Sequence, residues 1–442
     1  EKLFNDSKEF NPLKIEYENY PTKSEAAKLN KEEKNKVRRR ENQLLLDLNN
    51  NSVMRFSEDA QMLREKMTFF WMGHFACRVN DIRFADRLNN TIRKYSLGKF
   101  GDLLASVSKE PAMLQFLNNR RNRKEHPNEN FSRELMELFT LGRGNYTEKD
   151  VKEVARAFTG WGYQGMGRFT IFEKFHDTDS KTFLGETGNF DGDAALKIIL
   201  KQKQCARFIT KKIYKFFVND EQDEKIIDTL AENFYASDYD IEKLMHEIFT
   251  SDWFYDKRNI GAKIKSPIEL LAGMIKNLGL KFTNTRSILF YERILGQVLF
   301  QPPNVSGWTG GKNWIDNSTL MARLTLAKRF LKGEIMDMQP KEEYDMQLMD
   351  PNKTEENKKI NKRAYTENLK MLPLFDLTGL LNAISKVQDN KINDSLISLF
   401  IQSDSKKIDK DLFNQYNDIQ DKTQRIKNIV VHVMSLPEYQ LC

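Results

Sequence analysis

Only between Gly160 and Gly185 does the spacing of the apolar residues alternate convincingly. Gly160, Gly162, Gly165 and Gly167 interrupt the helical pattern before it, and Arg168 to Phe175 then alternate as a strand does. His176 and Asp177 sit where that strand ends. Thr182 to Gly185 reads as a short returning strand. One small hairpin near 163–186 is too little sheet to organise a chain of 442 residues. The fold is therefore expected to be mainly α, a multi-helix globular bundle with one small β-hairpin and long irregular loops.

Punctuation elsewhere agrees. Ser57 is a capping residue for a helix over 58–78, in which Leu63, Met67, Phe70 and His74 share a stripe. Asn128 or Asn130 caps a central helix that stops at Gly142. Thr147 and Asp150 have capping-box spacing, and Ser266-Pro267-Ile268-Glu269 joins a cap, a first-turn proline and an acid at the third position. The spacing divides the chain into an arm and helix over 1–50, a helical core with the hairpin over 51–334, a charged flexible insertion over 335–370, and C-terminal helices over 371–442 that complete the same domain.

Composition excludes several classes. Seventy basic residues face 63 acidic ones, a balance that does not point to nucleic acid. No apolar run reaches the ~18 residues of a membrane span. Cys77, Cys205 and Cys442 fit no zinc spacing, and they leave one disulfide or three free thiols open. Five histidines limit metal and general-base schemes to few positions. The chain opens on polar residues without a Met, which a processed N-terminus explains and a trimmed one explains equally.

Chemistry concentrates between Glu125 and Trp161. On a helix, Glu129, Arg133 and Glu137 form a ladder with one guanidinium between two carboxylates, and Glu134 lies three residues before Glu137. Three readings follow. The group is an ion-pair network joining helices. Or Arg133 keeps one carboxylate ionised while an apolar setting raises Glu134, which divides acid from base roles. In that reading Glu134 with Asp177 sets two carboxylates ~5–10 Å apart for glycan cleavage, and His176 adds a third group. Or Glu134, Glu137, Asp177 and His176 supply ligands to a divalent metal. His74 lies on a helix apolar enough to be buried. Trp308 and Trp314 anchor a proline- and glycine-rich loop over 299–315, as a site wall or a plug.

The residues also carry a family resemblance. Phe70-Trp71, His74-Phe75, Asn128-Glu129-Asn130, Arg133-Glu134, Glu137-Leu138 and Thr140-Leu141-Gly142 occur in order. Tyr146-Thr147, Asp150-Val151, Ala155 to Trp161, His176-Asp177 with Lys181 and Gly185, and Pro302 to Trp308 follow. From about residue 50 onward the chain resembles the uncharacterised bacterial DUF1800 family. Met72 and Phe139 stand where many members carry His. The resemblance implies an exported protein, in the periplasm or at the outer membrane or cell surface, with its signal peptide removed. It adds Asn130, Trp161 and Lys181 to Glu129, His74, Trp308 and Trp314 as candidate binding residues. The favoured function is a helical scaffold or binding subunit of a cell-envelope complex with a protein partner. The alternative is an envelope hydrolase or lyase acting on a glycan or other polymer. Glu134, Glu137, Arg133, His176 and Asp177 are the candidate catalytic residues in that case.

Overall fold

The structure, a computed structural model, describes all residues except 18, 19, 22, 335–371 and 404–407, and the side chains of 23 and 24. The charged insertion expected over 335–370 lies outside the described residues. The chain divides into two compact units that do not follow sequence order. The first holds 1–48, 59–254 and 300–308, and the second holds 49–58, 255–299 and 309–442. The helix Lys31–Phe56 begins in the first and ends in the second.

The first unit is helical around an aromatic core. Trp71, Phe75 and Phe100 stack within 6.4 Å of one another, and all three are buried. Trp71 lies in the helix Met62–His74, Phe75 directly follows it, and Phe100 opens the helix Phe100–Ser108. The helix Ile82–Tyr95, capped by Asp81, carries the arm. There the amide of Asn90 both donates to and accepts from the backbone of Leu13, as a strand neighbour would. Buried Arg64 gathers the carbonyls of Ser7, Lys8, Arg93 and Lys94. Arg93 in turn pairs with buried Glu65 at 3.0 Å.

The expectation of mainly helical structure is met, but the β portion and one helix start differ. The described residues hold two hairpins rather than one. β1 (Trp161–Gln164) pairs with β2 (Arg168–Ile171), and β3 (Lys181–Phe183) pairs with β4 (Glu186–Gly188). The expected long strand over 168–175 ends at Ile171 because Glu173–Phe175 coils into a 3₁₀ turn. Phe172 N–H then donates to Gly160 O, and Gly160 lies so close that a Cβ there would meet Phe172 O at 2.7 Å. The helix expected from 58 starts at Met62. Ser57 instead turns its hydroxyl back to Met54 O and closes the helix before it.

The second unit packs the helices Pro267–Leu278, Ser287–Leu295, Asn317–Lys332, Thr378–Ile384, Ile392–Phe400 and Lys422–Met434. The capping box of Ser266 and Glu269 forms with Pro267 at the first turn, and Gly279 ends that helix in the left-handed region. The C-terminal Cys442 pairs its backbone with Lys263. Glu292 is fully buried beside Asn49, whose amide donates to it at 2.8 Å, and burial pushes its carboxyl up to about 8. All three cysteines are free thiols.

Candidate functional site

The expected central helix is two elements. Asn130–Glu134 is α, and Leu135–Thr140 is a π-helix, the wide turn that holds an extra residue. Thr140 stabilises it by donating its hydroxyl to Leu135 O at 2.7 Å. Gly142 ends it with φ of +81°, where a Cβ would meet the Phe208 ring at 2.8 Å. The terminal carbonyls, which a helix leaves without partners, are taken by side chains from two other helices. Lys212 donates to Leu138 O at 2.9 Å, His74 Nε2 contacts Phe139 O at 3.1 Å, and Gln204 donates to Leu141 O at 3.1 Å.

These contacts assign His74. Lys212 also lies 3.3 Å from His74 Nδ1, so Nδ1 accepts and Nε2 carries the proton given to Phe139 O. Burial, and then the Lys212 charge, hold His74 well below its ordinary value. Burial lowers Lys212 to about 8. His74 is thus a neutral strut beneath the π-turn.

The expected ladder does not form. Arg133 reaches across the turn to Glu148, with two parallel hydrogen bonds of 2.6 and 2.8 Å, rather than to Glu129 and Glu137. The bidentate fork outcompetes same-helix pairing because Glu148 opens the next helix facing it. Glu137 instead accepts the Tyr146 hydroxyl at 2.6 Å. Glu134 is half-buried. Burial and the neighbouring Glu137 charge raise its carboxyl, against the opposing pull of Arg133.

A second cluster forms at the hairpins. Arg156 grips both oxygens of Asp177 at 2.8 and 3.2 Å, and also Glu153 at 3.1 Å. Lys181, with no exposed side-chain surface, donates to Asp177 O at 2.6 Å and Asp179 O at 2.9 Å. Burial raises Asp177, but the Arg156 bonds, the Asp179 amide and the Lys181 charge outweigh it, so the carboxyl sits below its ordinary value. His176 holds Thr159 O through Nδ1 at 2.9 Å. The cause is the helix Glu148–Ala157, which places Asp150, Glu153 and Arg156 on one face at spacings of three. Asp150 accepts the Leu184 amide and Glu153 the Thr182 amide, so this face clamps β3.

The candidate residues therefore fall into separate sets. Glu134 and Glu137 lie together near Arg133. His176, Asp177 and Lys181 lie together at the hairpins. No hydrogen bond or ion pair among the described residues joins Glu134 or Glu137 to His176 or Asp177. Nor do three or more His, Cys, Asp or Glu side chains among the described residues come close enough to hold a metal ion. Glu129 precedes the α-turn as its half-buried flanking residue. Asn130 ties its amide to Leu117 O. Trp161 is core, packed edge-on to Phe158 and Phe169. Trp308 is half-buried in the first unit, and Trp314 belongs to the second.

The expected site residues left out Tyr146, Glu148, Glu153, Arg156 and Lys212, although Tyr146 and Arg156 stand in the stretches that carry the family resemblance. Arg156 and Glu153 were legible in principle, because with Asp150 they repeat every three residues. Lys212 carries no local signal. No curated protein and no solved structure matches the chain. The family model described as "Protein of unknown function (DUF1800)" matches residues 2–441, so the chain belongs to the DUF1800 family.

Proposed function

We propose that the chain is a non-catalytic helical scaffold or binding subunit of a bacterial cell-envelope complex, exported to the periplasm or cell surface. The observation that carries the subunit reading is the Arg156–Asp177 grip, backed by Lys181. It commits the Asp177 carboxylate to pairing with Arg156, as Glu148 commits Arg133. The envelope location rests on the resemblance to exported proteins. Native purification tests the subunit reading. A second chain in stoichiometric amount is expected, and a lone chain that turns over a polymer would overturn it. Cell fractionation tests the location.

One observation favours the enzyme alternative, a glycan-directed hydrolase or lyase. Glu134 has a raised carboxyl three residues from Glu137, which the Tyr146 hydroxyl holds. That division suits acid and base roles. Glu134→Gln with the fold retained would abolish such an activity and leave a scaffold untouched.

A further inference from the structure

Beside the hairpins lies a group of exposed basic side chains that outnumber the acids next to them. Arg120, Arg121, Arg123, Lys124 and Lys174 are all exposed, and none is paired with a carboxylate among the described residues. Glu125 and Glu173 are the acids next to Lys124 and Lys174 in sequence. The surface is built rather than loose. Arg123 and His126 close a turn by backbone pairing, and Lys124 N–H donates to Phe175 O at 2.9 Å. Asn122 anchors the same loop from within, donating to Ala155 O at 2.7 Å and accepting the Asn128 amide at 2.9 Å. The Arg123 guanidinium lies 4.0 Å over the Phe175 ring, and Lys174 lies 4.7 Å from the same centroid. Arg120 lies 4.3 Å over Tyr163 and donates to its hydroxyl.

Stacking fixes a guanidinium plane while leaving N–H edges for a planar acceptor, which favours two-pronged binding of carboxylates. Arginine and aromatic residues are also the types enriched at protein interfaces. The ring faces of Phe175 and Tyr163 are already covered by cations, so they are not platforms for nucleic-acid bases.

We propose that Arg120, Arg121, Arg123, Lys124 and Lys174 form a docking surface for an acidic segment of a protein partner, with Arg120 and Arg123 as its two fixed forks. This rests on the subunit reading and names the partner's chemistry.

The test uses the full chain and a labelled ten-residue glutamate peptide. Binding should weaken with salt and fall about tenfold in Arg120→Ala/Arg123→Ala. Arg120→Lys/Arg123→Lys should also bind more weakly than the parent, because charge is kept and the fork is lost. Thermal melting checks that both variants fold. Independently of any variant, a zero-length amine–carboxylate cross-linker should join Lys124 or Lys174 to the peptide. No binding, equal binding by the alanine variant, or tighter binding to phosphatidylglycerol vesicles or a DNA duplex would overturn the proposal. A native complex that survives the alanine variant would refute this surface and leave the subunit reading standing.

Discussion

Arg156 holds Asp177 by both carboxylate oxygens, across 21 residues of chain, and Asp177 O is held in turn by Lys181. The pair links the last turn of a helix to the start of a hairpin. Asp177→Asn should therefore destabilise the protein by ~1–3 kcal/mol at neutral pH, since it leaves Arg156 and Lys181 under-paired. The sign with pH follows from the lowered carboxyl. The folded value is below the unfolded 3.8, so the stabilisation is present above 3.8 and is lost as pH falls through the folded value. Melting curves of parent and variant should converge in acid.

Glu292 and Lys212 push stability in opposite directions. The folded Glu292 value, about 8, is above the unfolded 4.5, so its contribution falls as pH rises from 4.5 to about 8. Lys212 is lowered from 10.5 to about 8, so the folded state sheds its proton first and stability recovers between about 8 and 10.5. The summed contribution of these two groups is expected to be lowest near pH 8. Glu292→Gln should flatten the acidic side, with a gain of a few kcal/mol at most at pH 8. Denaturant titrations across pH check both limbs.

Lys212→Met should uncap Leu138 O and free His74 Nδ1, costing about 1–3 kcal/mol. Removing the neighbouring charge should also raise the His74 titration, which proton NMR of the imidazole would follow. An unchanged His74 titration would mean that burial alone sets it.

Gly160→Ala should be among the most damaging small substitutions. Gly160 has φ of +76°, and an added methyl would meet Phe172 O at 2.7 Å. A loss of about 1–3 kcal/mol is expected, read as a lower melting temperature. Gly144→Ala, at φ of +86° with open space around it, isolates the backbone penalty from the clash.

Glu134→Gln should leave the fold intact and not lower stability at neutral pH. The carboxyl is raised, so its ionisation opposes folding as pH rises above 4.5, and the amide removes that dependence. A thermal midpoint well below the parent would show that the carboxylate holds structure.

What was legible in the sequence was local. The box at Ser266 and Glu269 and the one at Thr147 and Asp150 form as their spacing predicts, because each joins neighbours three residues apart. The predominance of helix followed from the single stretch of alternating period. What failed was distal or competitive. Arg133 has an acid four residues away on either side but pairs with Glu148, fifteen residues on, because a facing carboxylate can take both N–H groups. Nothing in Leu135–Thr140 announces a π-turn, since the helices that steady it arrive from residues 74, 204 and 212.

The π-turn also bears on how this chain can change its length. A residue inserted into an ordinary helix turns everything beyond it by about 100°. Between Leu135 and Thr140 the π-turn already holds one residue more than an α-turn, ahead of the stop at Gly142. A shortened version of this segment could wind as plain α-helix and still meet the same stop.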